Sequence, residues 1–149
     1  VTEYDPDLTS IDCLAGEFNQ VLLNIIVNAG QAIAEVAESF PTGKGRITIR
    51  TRRDGDWAEV SIADNGPGVP EEIRQRVFDP FFTTKDVGKG TGQGLAIAHA
   101  VIVERHHGTI HLKSDVGVGT TFVLRVPILQ HTVASDEIED EYAACDVRR

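Results

Sequence analysis

Asn24 and Asn28 stand four residues apart. Further on come Asp64-Asn65-Gly66-Pro67-Gly68, then Gly90-Thr91-Gly92-Gln93-Gly94, then Gly117-Val118-Gly119-Thr120-Thr121. Each cluster has a chemistry of its own. Amide oxygens are hard ligands suited to Mg²⁺, which keeps several waters and takes other oxygens from phosphates. A carboxylate at a strand end can accept a hydrogen bond from the exocyclic amine of adenine, and the glycines after it let the backbone approach a flat ring. A glycine loop running into a helix offers free N–H groups and a positive dipole end to phosphate oxygens. In this order the clusters describe a site for a nucleoside triphosphate and its metal.

The elements that must hold these residues follow from periodicity. Residues 16–38 predict a first helix, closed by Pro41 and Gly43. Its apolar residues, from Val21 to Ile33, cover most of the circumference, so deep burial is expected. Gln20, Asn24, Asn28 and Gln31 form one stripe of neutral amides. A solvated face is the plain alternative, although such faces usually carry Lys and Glu. Residues 47–52 and 58–62 alternate as strands around Asp54-Gly55, a composition suited to a tight hairpin. Asp64 shares parity with Ala58, Val60 and Ile62, which turns its carboxylate toward the buried face, where it needs a donor. An Asp-Asn-Gly turn bonding only its own loop is the competing explanation.

Residues 71–77 predict a short helix, and residues 78–92 a long loop with Lys85 and Lys89 placed to screen phosphate charge. A second helix is expected over 93–106, stopping at Gly108. Strands at 110–113 and 120–126 flank a turn at 115–119. A plain helix entry would also explain Gly90–Gly94, and a plain hairpin turn Gly117–Gly119. A short strand at 11–14 opens the domain after a turn at Asp5-Pro6. The assembly predicted is α+β: an α/β sandwich with helices on one face of a mixed, mostly antiparallel sheet. Residues 1–129 form the domain and 130–149 an acidic, flexible tail.

The chain has 149 residues, 41% apolar and 25% charged, and suits one domain. Its net charge is −9, of which six acids and two arginines in the last twenty residues supply −4, leaving −5 on the body. That excludes nonspecific nucleic-acid binding, which requires a basic surface. No apolar run reaches membrane-spanning length, and no signal peptide opens the sequence. Cys13 and Cys145 fit no metal spacing and suit a reducing compartment. None of the five histidines has zinc-ligand spacing. His106 and His107 fall at a helix end that favours positive charge, and all five are expected to be structural.

Taken together, the clusters resemble the catalytic, ATP-binding domain of two-component sensor histidine kinases, within the superfamily of gyrase, Hsp90, MutL and histidine kinases that shares the Bergerat fold (GHKL). The likeness covers about residues 1–128. Gln20-Val-Leu-Leu-Asn24-Ile-Ile-Val-Asn28-Ala29 resembles the N box. Asp64–Gly68 resembles the G1 box, Gly90–Leu95 the G2 box, and Val77-Phe78-Asp79-Pro80-Phe81-Phe82-Thr83-Thr84-Lys85 the F box of the kinase branch. The Asn-Ala-x-Gln-Ala and Phe-Phe-Thr-Thr-Lys runs are closest to the NtrB-like kinases.

The resemblance implies that Asn28 coordinates Mg²⁺ and that Asn24 lies near the phosphates. It implies that Asp64 reads adenine, helped by Thr121 through a water, with Gly66, Gly68, Val69 and Phe82 around the nucleotide. Gly90, Thr91, Gly92, Gln93, Gly94 and Leu95 would line the phosphate lid near Lys85. Catalysis would rest on Asn24, Asn28 and Lys85. Gln31 stands where many kinases have a basic residue, Gln93 where Leu is usual, and His107 where Gly is common. The implied partners are an upstream dimerisation and phosphoacceptor domain and, indirectly, a response regulator, in a homodimeric full-length protein. That protein can be membrane-anchored, with this domain cytoplasmic and free of direct membrane contact. A conformational ATPase of the gyrase or Hsp90 type, a serine kinase of the anti-sigma type and a regulatory module with a dead site are the alternatives.

Overall fold

The computed structural model describes residues 1–39, 44–84, 90–129 and 143–146. Five strands form the main sheet in the order β1 (Thr2–Glu3), β3 (Ile47–Asp54), β4 (Trp57–Asp64), β6 (Gly119–Pro127) and β5 (Thr109–Asp115). Only β1 and β3 are parallel, so the sheet is mixed and mostly antiparallel, as expected. The hairpin between β3 and β4 turns through Gly55 and Asp56, with Gly55 at φ 61°. A separate ribbon pairs β2 (Ser10–Cys13) with β7 (Ala143–Asp146), so the stretch expected to be a flexible tail contributes one strand.

The inner face of the sheet is built from aligned rows. Thr51, Val60, Leu124 and Ile110 face one another across four strands, and Ile49, Ile62, Phe122 and Leu112 form the next row. Against these rows packs α1 (Ala15–Glu35), through Phe18, Val21, Ile25 and Ala29. Beside it lies α3 (Gly94–Ala100), which continues as a wider turn over Val101–Arg105 and buries Ala98, Val101 and Ile102. The helix expected at 71–77 is one turn, α2 (Glu71–Arg74). Deep burial of α1 holds on one side only. Leu23 and Val27 point away from the sheet and are 54% and 46% exposed.

His106 closes the helix, as expected, but not as a site for positive charge. It is fully buried. The backbone N–H of Leu14 donates to its Nε2 (3.0 Å), so that nitrogen carries no proton and Nδ1–H donates to the carbonyl of Val101 (2.9 Å). The ring is therefore neutral, set edge-on to Phe18, and ties the start of α1 to the end of α3. His107 follows at φ 52°, the left-handed conformation that ends many helices and that glycine adopts without Cβ strain. This explains why glycine is common there. Replacing His107 with Gly should stabilise the domain by about 1 kcal/mol, raising Tm by roughly 2–4 °C. Thermal unfolding of the two chains checks it; a lower Tm would mean that the exposed imidazole makes a compensating contact.

Candidate active site

The site is laid out along α1. The side-chain Nδ2 of Asn24 donates to the carbonyl of Gly94 (3.1 Å), and its Oδ1 accepts from Nε2 of Gln20 (2.9 Å). Asn24 thus braces the second glycine loop, with both ends of its amide engaged. Eight residues later, Ala32 abuts Gly66: a Cβ on Gly66 would stand 3.1 Å from that of Ala32 and 2.9 Å from Oδ1 of Asp64. At 1.5 Å per residue the two glycine loops lie about 12 Å apart along the helix, with Asn28 midway on the same side. Asn28 is partly exposed, and its side-chain amide makes no hydrogen bond to a described residue. The amide stripe is therefore neither remote from the glycine loops nor a plain solvated face.

Asp64 closes β4 and continues the inner parity into a row in which Asp64, Thr120 and Ser114 are polar and Ile47 is apolar. Its Oδ1 accepts from the backbone N–H of Gly66 (2.8 Å). Burial lifts its pKa above the ordinary aspartate value, and backbone N–H groups of Gly66 and Thr120 pull in the opposite direction. The carboxylate is held short of full compensation, which leaves it a strong acceptor toward a ligand donor.

The register corrects one expectation. Thr120 is opposite Asp64 and buried, whereas Thr121 is opposite Ala63 and points to the outer face of the sheet. Directly opposed residues share a face and neighbours alternate. Thr120 is therefore the threonine beside Asp64. It belongs to a closed hydroxyl set. Val69 N–H donates to Ser114 Oγ (2.8 Å), Ser114 donates to the carbonyl of Gly119 (2.9 Å), and Thr120 then donates to Ser114 (3.0 Å). The N–H of Gly117 bonds the carbonyl of Pro67 (2.8 Å). Gly68 at φ 78° presses on the backbone of Asp115 and Val116, and Gly119 at φ 144° on the carbonyl of Asp64. These contacts fix the first glycine loop to the β5–β6 turn, giving Gly117–Gly119 a role that a hairpin alone does not require. Ser114 was missed, although its parity with Ile110 and Leu112 marks it as inward.

The second glycine loop is tied to the segment before it. Phe81 N–H donates to the carbonyl of Gly92 (2.9 Å), and Gly92 at φ 63° lies against the Phe81 backbone too closely for any Cβ. Phe81 itself has φ 66° and is 71% exposed, a strained position of the kind that clusters at functional loops. Phe82 sits under the guanidinium of Arg76 at 4.6 Å. Phe78, which opens the F-box-like segment, anchors it by packing on His99 and Phe122. Val69 also receives Arg74 Nε on its carbonyl (2.9 Å). Gly90, Thr91 and Gln93 lie at the loop surface, and Leu95 packs against the core. Lys85 and Lys89 lie outside the described residues.

Among the described residues no three His, Cys, Asp or Glu side chains form a metal cluster. A cation here would therefore be held by amide and ligand oxygens, the donor set that Mg²⁺ bound to a polyphosphate accepts. Of two surface concavities, the one around Lys44–Ile47 borders the first glycine loop, where the N–H of Arg46 donates to Asn65 Oδ1 (2.7 Å), and the other is lined by Tyr4 and Arg50. No helix among the described residues is long and apolar enough to cross a membrane.

Residues 15–130 match the family described as histidine kinase-, DNA gyrase B-, and HSP90-like ATPase. Sensor kinase CckA of Brucella abortus is 34% identical, over 91% of this chain and 15% of its own length. Signal transduction histidine-protein kinase AtoS of Escherichia coli is 40% identical, over 86% of the chain and 19% of its own. Sensory histidine kinase/phosphatase NtrB of Vibrio alginolyticus is 37% identical, over 86% and 37%. The chain thus spans 15% to 37% of these curated relatives. Among solved structures, the nucleotide-free catalytic domain of histidine kinase ThkA superposes with a TM-score of 0.71 at 31% identity, covering 86% of this chain and 77% of that one. A mycobacterial sensor histidine kinase, MprB, gives 0.63 at 26%, covering 85% and 81%.

Proposed function

The chain belongs to the histidine kinase-, DNA gyrase B- and HSP90-like ATPases, as an ATP-binding catalytic domain of the sensor histidine kinase type, and from this we propose that it carries ATP·Mg²⁺ and passes the γ-phosphoryl group to a histidine outside the chain. The observation that supports this best is the alignment on α1 of a braced phosphate loop at Asn24, a free amide at Asn28 and a half-buried carboxylate beside Gly66. Asp64 accepts from the adenine amine, with Thr120 beside it. Asn28 would hold Mg²⁺ through its amide oxygen, and the ion would supply charge neutralisation at the phosphates. The N–H groups of Gly92 and Gly94 would donate to phosphate oxygens, and Lys85 would screen their charge.

Transfer of this kind needs alignment and charge stabilisation more than covalent help from the protein. The lone pair of a neutral acceptor imidazole forms the N–P bond in line. The bond from phosphorus to the β,γ-bridging oxygen breaks, its electrons leave with ADP, and the proton on the other ring nitrogen passes to a base beside the acceptor. No histidine in this chain is followed by an acid, and His106 is fully buried and engaged on both nitrogens. The acceptor therefore comes from an upstream dimerisation domain. We place the catalytic domain at residues 1–129, on the cytoplasmic side of a homodimeric protein that signals to a response regulator, with residues 130–149 as an acidic tail.

The test uses γ-labelled ATP. The chain alone should bind nucleotide but take up no acid-labile phosphate. Adding a polypeptide that bears the acceptor histidine should give acid-labile label on that polypeptide. Stoichiometric label on the chain itself, acid-stable label on the partner, or fast hydrolysis with no partner would each overturn the proposal.

A further inference from the structure

Ser114 shares the inner parity of Ile110 and Leu112, where an apolar residue would extend the core. A hydroxyl buried there is costly unless its bonds are specified, and they are. Its Oγ accepts from the Val69 N–H (2.8 Å) and lies 2.9 Å from the carbonyl oxygen of Gly119 and 3.0 Å from Oγ1 of Thr120. A carbonyl has no proton to give, so the single Ser114 proton goes to Gly119. The proton shared with Thr120 is then that of Thr120. Both hydroxyls are buried, which keeps bulk water from competing for these protons. Thr120 is left with lone pairs only, and no described residue donates to them. It stands directly opposite Asp64 on the same face of the sheet, and an ionised carboxylate also offers only lone pairs.

We infer that Ser114 is a positioning residue that sets which purine the cleft takes. By holding the Thr120 proton it makes the base end of the cleft acceptor-only, and this selects a base with an exocyclic amine over one with a carbonyl at the same carbon. The inference rests on the reading above that the base meets Asp64. Adenine brings an amine with two protons. Hypoxanthine brings a carbonyl oxygen, together with a proton on N1 that satisfies a carboxylate as well. Asp64 alone therefore discriminates poorly between the two, and the carbonyl oxygen depends on Thr120 for a donor. A free hydroxyl turns to donate or accept as its neighbours require. Held by Ser114, it can only accept. A site discriminates strongly where the wrong ligand leaves buried polar groups without partners, and the fixed proton imposes that penalty on the carbonyl.

The test compares Kd for ATP and for inosine triphosphate (ITP) by calorimetric titration. The wild-type chain should prefer ATP about 30-fold, and Ser114→Ala should cut that ratio about tenfold, the size expected when one buried mismatch is relieved. The same variant leaves the Val69 N–H without its partner, which weakens both nucleotides alike and so does not move the ratio. A double-mutant cycle separates the two effects. In a Thr120→Val chain, which has no hydroxyl to turn, adding Ser114→Ala should leave the ratio where Thr120→Val alone puts it. Ser114→Cys is the second variant should alanine fail to fold: its thiol fills the space but is a weak donor and a weak acceptor, so the ratio should fall in the same direction by less. A wild-type preference for ATP that Ser114→Ala leaves unchanged overturns the role of Ser114 and leaves the ATP reading intact. A ratio that falls equally in the Thr120→Val background also overturns it, because loosening of the loop is then the cause. A wild-type chain that binds ATP no better than ITP, or binds neither, overturns the placing of adenine at Asp64 and this inference with it.

Discussion

Replacing Asp64 with Asn should weaken ATP binding about 100-fold and leave the nucleotide-free domain as stable as before or slightly more so. The two effects have one cause. Asp64 is half-buried at the end of β4, and burial raises its pKa against the pull of the Gly66 and Thr120 N–H groups. A carboxyl whose pKa is higher folded than unfolded favours folding most when protonated, below its unfolded value. That contribution is lost as pH rises through the folded pKa, so at neutral pH the ionised group works against the fold. Asparagine removes the charge, and its Oδ1 can still accept from Gly66. The Tm of the variant relative to the parent should therefore rise between acid and neutral pH. Its other terminus becomes a donor, set against the exocyclic amine of adenine. Losing a charge-assisted hydrogen bond and opposing two donors together amount to about 3 kcal/mol, or about 100-fold in Kd. Calorimetric titration with ATP reads the first effect and a pH series of melting curves the second. A folded variant with unchanged ATP affinity would place adenine elsewhere.

Asp64 was legible in the sequence because strand parity is a local property. Three apolar residues at alternate positions set its face before any partner strand is known. Thr120 and Thr121 were not separable in that way. They are adjacent, and a register slip of one residue exchanges their faces. What sets the register is the approach of Gly119 to the Asp64 carbonyl and the bond from the Val69 N–H to Ser114 Oγ, which connect residues dozens of positions apart. His106 shows the same limit. Its place at a helix end is local, but its acceptor role is decided by Leu14, 92 residues away. The strands β1 and β7 are short edge elements whose own residues carry little alternation, so only their pairing defines them. The burial of α1 was overestimated for a different reason. An apolar circumference identifies a helix rich in apolar residues, and composition does not tell which of them the domain's own core reaches.

Asn28→Ala should reduce phosphoryl transfer to the acceptor about 1000-fold. It should also abolish the tightening of nucleotide binding by Mg²⁺, while affinity measured in chelator stays near that of the parent. The first figure corresponds to about 4 kcal/mol of lost charge stabilisation, within the range a Lewis-acidic metal supplies at a phosphoryl centre. The separation of the two affinities matters more than either alone. Alanine is a better helix former than asparagine, the Asn28 side chain holds no described residue by a hydrogen bond, and the brace from α1 to the second glycine loop belongs to Asn24. The variant therefore keeps α1, the Gly94 contact and the adenine end of the cleft. What it removes is one hard oxygen about 6 Å along the helix from each loop. Asn24→Ala should behave differently. It frees the Gly94 carbonyl, so it weakens nucleotide binding with and without the metal. If both variants lose affinity equally in chelator, Asn28 is a second brace and the cation is held by phosphate and water oxygens alone.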